Sequence, residues 1–351
     1  KEPADYCFPN ALEAIEALQC VVDFAGKAPK ALYYLGNLWY DKRRYPTAIA
    51  AWERSSREDE TFPTVWRNLS LAYFNKMNRP DEAVALLEKA FRLDHTDARV
   101  LMELDQLYKR LNRPHIERLC FLEQHIDIVM TRDDLYLEYV TLLNQTGQYR
   151  EAIRRIDQRK FHPWEGGEGK VPAQYQLARL ELAKELINRK KYDDALALID
   201  ECYIYPTHLG EGKLPGAQEN DFNYYKAYIL QQQGRPEEAH SLFVKACSGN
   251  SQPAAAMYYN DQKPDKIFYQ GLAYRKLGEE ENARSRFNQL ITYGEEHLFD
   301  RFKMDYFAVS LPDLLIWEDD MDKKNRIHCN YLMALGHLDW EIEQKPNTSL
   351  I

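Results

Sequence analysis

A small residue, usually alanine, recurs at regular intervals over most of this 351-residue sequence. The positions are Ala48, Ala83, Glu117, Ala152, Ala195, Ala239 and Ala283, at intervals of 35, 34, 35, 43, 44 and 44 residues. A large residue stands four positions after the small one, as Trp52 and Phe287 do. Small residues let antiparallel helices approach closely, and large ones fill the grooves between them. The pattern therefore predicts a series of helix pairs.

Turn signals lie at matching places in these units. Three tripeptides and two glycines each separate a first helix from a second: Asn78-Arg79-Pro80, Asn112-Arg113-Pro114, Gly234-Arg235-Pro236, Gly147 and Gly278. The frame resembles the tetratricopeptide repeat, a helix-turn-helix unit of about 34 residues. This resemblance implies an all-α fold, a right-handed superhelix (α-solenoid) of about seven tetratricopeptide-like helix pairs with helical caps.

The repeats divide the chain into three parts. We expect a capping helix in residues 1–28, seven repeats in 29–297, and C-terminal capping helices with a tail in 298–351. The N-terminal helix should cover residues 10–25 with Asn10 as its N-cap. The C-terminal part should contain a stretch over 304–315 broken by Pro312, a helix over about 326–340, and a frayed tail over 345–351.

The third unit departs most from the frame. Glu117 replaces the small residue, and Asp105 stands where two helices should approach closely. The spacing nevertheless predicts a helix pair here.

Each interval after Ala152 is longer by nine or ten residues. Two of the insertions are residues 161–172 and 205–216, and the third lies around 248–264, including Met257. Equivalent loops of a solenoid project from the same edge. The three loops, which we call the loop edge, should therefore form one continuous patch.

Charge and cysteine content exclude several classes of function. Lys and Arg total 46 against 55 Asp and Glu, a net charge of -9, which argues against nucleic-acid and membrane partners. No apolar run approaches the ~20 residues of a membrane span. The six cysteines form no C-x-x-C pair, which predicts buried free thiols, no metal site and no cofactor in a reducing, cytoplasmic setting. The chain begins without Met, so we expect a fragment of a longer protein.

A second resemblance rests on more specific motifs. The glycine loops 167–172 (GEGKVP) and 210–215 (GEGKLP) resemble each other, and further motifs are YCFPN at 6–10, WRNL at 66–69, HPWEGG at 162–167, QEND at 218–221 and DYFAVSLPD at 305–313. With these motifs the chain is similar to the C-terminal repeat region of a bacterial family of unknown function. Long members of that family have an N-terminal β-sandwich region similar to aldose epimerases. The resemblance implies a carbohydrate-related setting and an intramolecular N-terminal partner domain, and it supplies no catalytic residue.

The loop edge is the first candidate site. Its residues combine flat aromatic faces with groups that bind hydroxyls: His162, Trp164, Glu165, Glu168, Lys170, His208, Glu211, Lys213, Glu219 and Asp221. They predict carbohydrate binding, or glycoside processing by a carboxylate pair such as Glu168 and Glu211. The alternative is structural, with Glu168 and Glu211 capping helices. The sequence leaves both open, and GEGK is not a phosphate loop because no Ser or Thr follows the lysine.

The concave groove formed by the first helices is the second candidate site. Exposed residues there would bind a peptide or a partner domain, and the candidates are Tyr34, Asn37, Trp66, Arg67, Asn68 and Tyr73. The alternative is a solvated charged face. We expect a non-enzymatic scaffold for a protein or peptide partner, with a carbohydrate site shared with the N-terminal domain as the alternative function.

Overall fold

A computed structural model describes residues 9, 11–255, 261–301, 316–318 and 320–344, with side chains up to residue 338. In this part the chain is helical and contains no strand, so the predicted all-α class is confirmed. It divides into two compact units: unit 1 contains Lys1–Tyr139 and Leu315–Glu318, and unit 2 contains Val140–Leu314 and Asp319–Ile351.

The helices of unit 1 follow the predicted order. They are α1 (Glu13–Phe24), α2 (Pro29–Asp41), α3 (Tyr45–Glu58), α4 (Pro63–Asn75), α5 (Pro80–Leu93), α6 (Ala98–Arg110), α7 (His115–Gln124), the single turn α8 (Ile126–Val129) and the start of α9 (Asp133–Gln145). Helix α2 packs on α3, α4 on α5, and α6 on α7. The first pair contacts the second through α3 and α4, and the second contacts the third through α5 and α6. Proline occupies the first or second position of α2, α3, α4 and α5, where its missing N–H costs nothing.

Unit 2 begins within α9 and has longer connections. Its helices are α10 (Tyr149–Asp157), α11 (Lys170–Asn188), α12 (Tyr192–Cys202), α13 (Asn220–Gln232), α14 (Pro236–Ala246), α15 (Pro264–Lys276), α16 (Glu280–His297) and α17 (Met321–Gln344), with a 3₁₀ turn at Thr207–Leu209. The described part of the chain thus has seven helix pairs between Pro29 and His297. Asn10, Met257 and the segments 304–315 and 345–351 lie outside the described residues.

A left-handed residue closes the turn inside every pair. All seven have φ between +52° and +79°, and they are Arg43, Asn78, Asn112, Gly147, Lys190, Gly234 and Gly278. The next residue then donates its N–H to a carbonyl five or six positions back, as from Gln148 to Leu143 (2.8 Å). The five predicted turns are confirmed. The turns at Arg43 and Lys190 were not predicted. Most helices that end in a left-handed residue have glycine or asparagine there, so an arginine or a lysine does not indicate such a turn.

The predicted small residues are buried at the helix crossings, and so are the large residues four positions later. The closest approach is at Gly36 on α2, where a Cβ would lie 2.2 Å from Nε1 of Trp52 on α3. The Trp52 indole N–H donates to the Tyr33 carbonyl and to Oδ1 of Asn37, both at 3.1 Å. The crossing therefore combines tight packing with a satisfied buried donor.

The third unit replaces the small residue by a buried ion pair. Glu117 is exposed, and its neighbour Arg118 turns inward from α7 with 1% of its surface exposed. Its guanidinium donates to both carboxylate oxygens of Asp105 on α6 (3.0 and 2.6 Å) and to Glu138 (2.7 Å). The assignment of Glu117 to the helix crossing is therefore wrong, and Asp105 lies there because Arg118 neutralises it.

The described cysteines are all free thiols, but only some are buried. Cys202, Cys247 and Cys329 are buried, whereas Cys20 and Cys120 are exposed. Burial raises the pKa of Cys202 to about 12, so this thiol stays protonated and unreactive at neutral pH.

Candidate functional site

Three of the predicted groove residues form a polar ladder across the first helices of unit 1. Asn68 on α4 donates to Oδ1 of Asn37 on α2 (2.9 Å), and Arg67 donates to Oδ1 of Asn68 (3.1 Å). Arg67 also makes a bidentate pair with Glu103 on α6 at 2.7 and 2.6 Å. All four side chains are buried. The ladder therefore connects successive repeats.

The other three groove residues are partly exposed. The Tyr34 ring packs against Tyr33 at a centroid distance of 5.4 Å. Trp66 donates its indole N–H to the Glu60 carbonyl (3.0 Å). The Tyr73 hydroxyl donates to Glu53 (2.8 Å), and partial burial together with this carboxylate raises the pKa of Tyr73 to about 12.

The same face of unit 1 also binds a distant piece of the chain itself, residues 316–318, whose backbone bends at Ile316 and Trp317. Asn75, the last residue of α4, makes hydrogen bonds to the backbone on both sides of Trp317. Its Nδ2 donates to the Ile316 carbonyl (2.8 Å), and its Oδ1 accepts the N–H of Glu318 (2.9 Å). An amide that pairs with one carbonyl and one N–H holds a peptide backbone whatever its side chains are.

Trp317 fills the space between α4 and α6. Its side chain is 0% exposed and is the largest completely buried side chain in the described part of the chain. The ring meets Phe74 edge to face at 5.2 Å, and its N–H donates to the Glu103 carbonyl on α6 (3.0 Å). A buried indole that has lost water must find such an acceptor.

Cationic side chains surround the end of the segment. Lys76 forms an ion pair with the Glu318 carboxylate, and Arg110 at the end of α6 donates to the Glu318 carbonyl (3.4 Å). Partial burial lowers the pKa of Lys76, but the hydrogen bond and charge of Glu318 outweigh it and raise the pKa overall. We call the surface formed by Phe74, Asn75, Lys76, Glu103 and Arg110 the α4–α6 groove.

The sequence did not predict this groove. Tyr73 was a candidate, but the two residues after it were not, because nothing in a helix end distinguishes Asn75 from a capping residue. Trp317 lies 214 residues from Glu103 in sequence, and its neighbours Ile316 and Glu318 lie 241 and 243 residues from Asn75. A single tryptophan near an acidic turn carries no spacing signal. The tryptophan followed by three acidic residues at 318–320 was the only clue in the sequence.

Neighbouring loops of the loop edge contact each other, as the repeat spacing predicts. The Phe161 N–H donates to the His208 carbonyl (2.8 Å), joining the first loop to the second. Gln218 donates to the Asp261 carbonyl (3.2 Å) and accepts the Lys263 N–H (3.1 Å), joining the second loop to the third. These loops are ordered by one another as well as by their helices.

Several predicted loop-edge residues have structural partners. Trp164 lies over Gly167, where a Cβ would be 2.2 Å from the indole. Glu211 accepts the N–H of Gly169, the N-cap of α11, at 2.7 Å. Burial raises the pKa of Glu211, the Gly169 amide opposes the rise, and nearby Glu168 adds to it. Glu211 is thus a helix cap supplied by the next loop.

The remaining loop-edge residues do not converge with these. Asp221 is buried in an ion pair with Lys266, and Glu219 pairs with Lys213. Nε2 of His208 lies 3.8 Å from Asp157, too far for a hydrogen bond. The other three are exposed on the surface: His162, Glu165 and Lys170.

A cleft of about 710 Å³ opens between the second and third loops. Its lining includes Tyr203, Glu219, Asn223, Lys245 and Asn250. Trp164, Glu168 and Glu211 are absent from its lining, so the aromatic ring and the carboxylate pair of the predicted carbohydrate site do not meet there.

Glu211→Ala should lower the free energy of unfolding by about 0.5–2 kcal/mol, because the α11 N-terminus loses the acceptor of one backbone N–H. Urea denaturation measures the change. Glu165→Ala in the same loop edge is the control and should leave the midpoint unchanged, since its side chain is exposed. Equal midpoints for the two variants would contradict the capping role.

Within the described ranges, no group of three or more His, Cys, Asp and Glu side chains is arranged to hold a metal ion. None of the helices described is both long and apolar enough to span a bilayer.

Comparison with known proteins agrees with the helix pairs. Two tetratricopeptide repeat models match the chain, one at residues 63–97, which contain α4 and α5, and one at 267–293, within α15 and α16. The chain contains tetratricopeptide repeats. This confirms the first resemblance, whereas nothing in the comparisons points to a family with an aldose-epimerase-like region.

Several solved structures are similar to the chain at low sequence identity. YrrB, described as a tetratricopeptide repeat protein with an unusual peptide-binding site, is 15% identical over 54% of this chain and 91% of its own, with a TM-score of 0.40. The Naa15/Naa10 complex bound to HypK-THB is 13% identical over 95% of this chain and 56% of its own, with a TM-score of 0.46. A tetratricopeptide repeat protein from Parabacteroides merdae is 15% identical over 75% and 91%, with a TM-score of 0.35.

Proposed function

We propose that this chain is a protein-interaction scaffold whose α4–α6 groove binds peptide segments. The observation that supports this is the pair of hydrogen bonds from Asn75 to the Ile316 carbonyl and the Glu318 N–H. They hold the backbone of a segment that is far from α4 in sequence, which is how a groove binds a peptide from another molecule. Because the helices of the groove are already folded, little conformational entropy is lost on binding.

The finer parts of the sequence interpretation are proposals as well. The partner is a protein, a peptide or an intramolecular N-terminal domain, and we propose a non-catalytic role in a reducing, cytoplasmic setting, which the free thiols support. The bacterial, carbohydrate-related parent protein rests on sequence motifs alone. A carbohydrate site on the loop edge is not favoured, because Glu211, Glu219 and Asp221 have partners within the protein.

Peptide selection tests the scaffold proposal. A displayed library of random peptides is selected on the full chain carrying Trp317→Ala, which vacates the groove, and the selected peptides are measured on a Trp317→Ala, Asn75→Ala double variant. We expect peptides that bind the first protein and lose most of their affinity for the second, because the backbone contacts are gone.

Trp317→Ala combined with Asn282→Ala is the matched control. Asn282 is an exposed asparagine on α16 whose amide bonds only to Glu279 in the described contacts, so this protein should bind like the single variant. If no selected peptide depends on Asn75, the α4–α6 groove is not the interaction surface.

A further inference from the structure

We propose that the α4–α6 groove is selective for an aliphatic residue, a tryptophan and an acidic residue in succession, and that residues 316–318 fill it in cis, so that a partner must displace them. This inference rests on the proposed function and adds the chemistry of the partner and the control of its access.

The backbone contacts fix the register of the bound segment. Asn75 pairs with the residues immediately before and after Trp317, so only the central side chain points between α4 and α6. Trp317 is buried, whereas Ile316 is only partly buried and Glu318 is exposed. The groove therefore encloses one side chain completely and contacts the side chains on either side of it only at the surface.

The buried position requires tryptophan. Edge-to-face packing on Phe74 would accept any aromatic ring, but the Glu103 carbonyl accepts a hydrogen bond from the indole N–H at 3.0 Å. Phenylalanine has no donor, and a tyrosine hydroxyl extends from the other end of a smaller ring. With the side chain 0% exposed, a mismatch leaves either a void or an unpaired polar group.

The following position favours a carboxylate. Glu318 is 57% exposed, so its ion pair with Lys76 contributes little to affinity. It does discriminate by sign, because a lysine in place of Glu318 would meet Lys76 and the nearby Arg110. The charge therefore sets specificity, and the tryptophan supplies most of the affinity.

Occupancy in cis raises the concentration a partner needs. A segment tethered to its own site has an effective concentration on the order of millimolar. An added peptide with the same affinity for the vacant groove must exceed this value to compete, and a tighter-binding peptide needs proportionately less. The wild-type chain would thus respond only to a partner held close by another contact or to an event that withdraws residues 316–318.

A synthetic peptide with the sequence of residues 311–322 (LPDLLIWEDDMD) is the probe. Its dissociation constant is measured by calorimetry on the full wild-type chain and on Trp317→Ala. We expect binding to Trp317→Ala at least about tenfold tighter than to the wild type. The same peptide with alanine for tryptophan should lose at least about tenfold, and with lysine for glutamate about two- to fivefold. Trp317→Phe is the milder variant should Trp317→Ala lose its helical circular dichroism.

A folded Trp317→Ala or Trp317→Phe protein that does not bind the probe would overturn the inference, since residues 316–318 would then be only a structural element. If the random library yields peptides dependent on Asn75 while the probe fails, the scaffold function stands and the proposed motif is wrong.

The wild-type chain provides a measurement that does not depend on a variant's stability. In protein labelled with 5-fluorotryptophan, the Trp317 resonance should shift as excess probe displaces the segment at millimolar concentration. A resonance that stays unchanged up to the highest probe concentration contradicts displacement, and the alanine peptide is the control that should never shift it.

Discussion

Arg118→Met should lower the free energy of unfolding by about 3–5 kcal/mol. This is the largest loss that we expect from removing one buried charge in unit 1. The substitution leaves the Asp105 carboxylate buried, with 1% of its surface exposed, and removes the two hydrogen bonds that the Arg118 guanidinium donates to it. Thermal and urea unfolding of the full chain measure the loss. Arg235→Met is the matched control: it removes an exposed pair with Glu238 and should change nothing measurable.

The pH dependence identifies the cause. Burial and nearby Glu138 raise the pKa of Asp105 to about 6 although Arg118 opposes the rise. Without Arg118 the folded protein holds this proton to still higher pH, whereas the unfolded chain loses it near 3.8. The variant therefore loses stability as pH rises above about 4, and its deficit against the wild type is greater at about pH 8 than at about pH 5. A deficit that does not vary with pH would point to packing instead.

A second substitution should repair most of this damage. Arg118→Met with Asp105→Leu replaces the ion pair by apolar groups, which is often neutral or stabilising. Glu138 keeps Lys109 as a partner at 2.9 Å in that protein. If the double variant is as unstable as Arg118→Met alone, the uncompensated Asp105 carboxylate is not the reason for the loss.

Trp52→Ala should cost about 3–5 kcal/mol of unfolding free energy, because it empties the crossing of α2 and α3 and removes the donor to Tyr33 and Asn37. Chemical denaturation of the full chain measures it. Gly36→Leu should also destabilise, since its Cβ would overlap the Trp52 ring. The double variant Trp52→Ala, Gly36→Leu should lose less unfolding free energy than the sum of the two separate losses, because Leu at position 36 occupies space that the Trp52 ring vacates.

Trp66→Ala is the matched control for Trp52→Ala. Its ring is only partly buried against the core of the first repeats, its N–H donates to the Glu60 carbonyl, and the Lys89 ammonium lies 3.5 Å from the ring centroid. The loss should be clearly smaller than for Trp52→Ala. Equal losses would mean that the crossing of α2 and α3 contributes no more than surface packing.

The repeat could be predicted because its physics is local. Ala48 and Trp52 lie on one face of one helix, and the turn at Gly147 follows from a single residue's conformational freedom. The burial of Arg118 at the crossing in place of Glu117 could not be predicted. The spacing locates a helix crossing, but it does not say which of two adjacent charged residues will be buried there.

The candidate sites were predicted less well for the same reason. Asn37, Arg67 and Asn68 were predicted as exposed binding residues, but they are buried and pair with one another and with Glu103, one repeat further on. The α4–α6 groove depends on Trp317, whose docking no interval between residues could indicate. The periodicity of the sequence predicts the helical repeats, whereas the properties of their surface depend on contacts between segments that are distant in sequence.

The polar ladder from Asn37 to Glu103 limits how an array like this can grow. Helix α4 begins at Pro63 and α6 at Ala98, so the residue of α4 that matches Glu103 is Asn68. If the α4–α5 pair were duplicated in tandem, the first Arg67 would face an asparagine and lose its bidentate carboxylate. Repeats that pack on their neighbours through such specific buried pairs are no longer interchangeable modules, so unit 1 would have to diversify by substitution, with its repeat order held fixed.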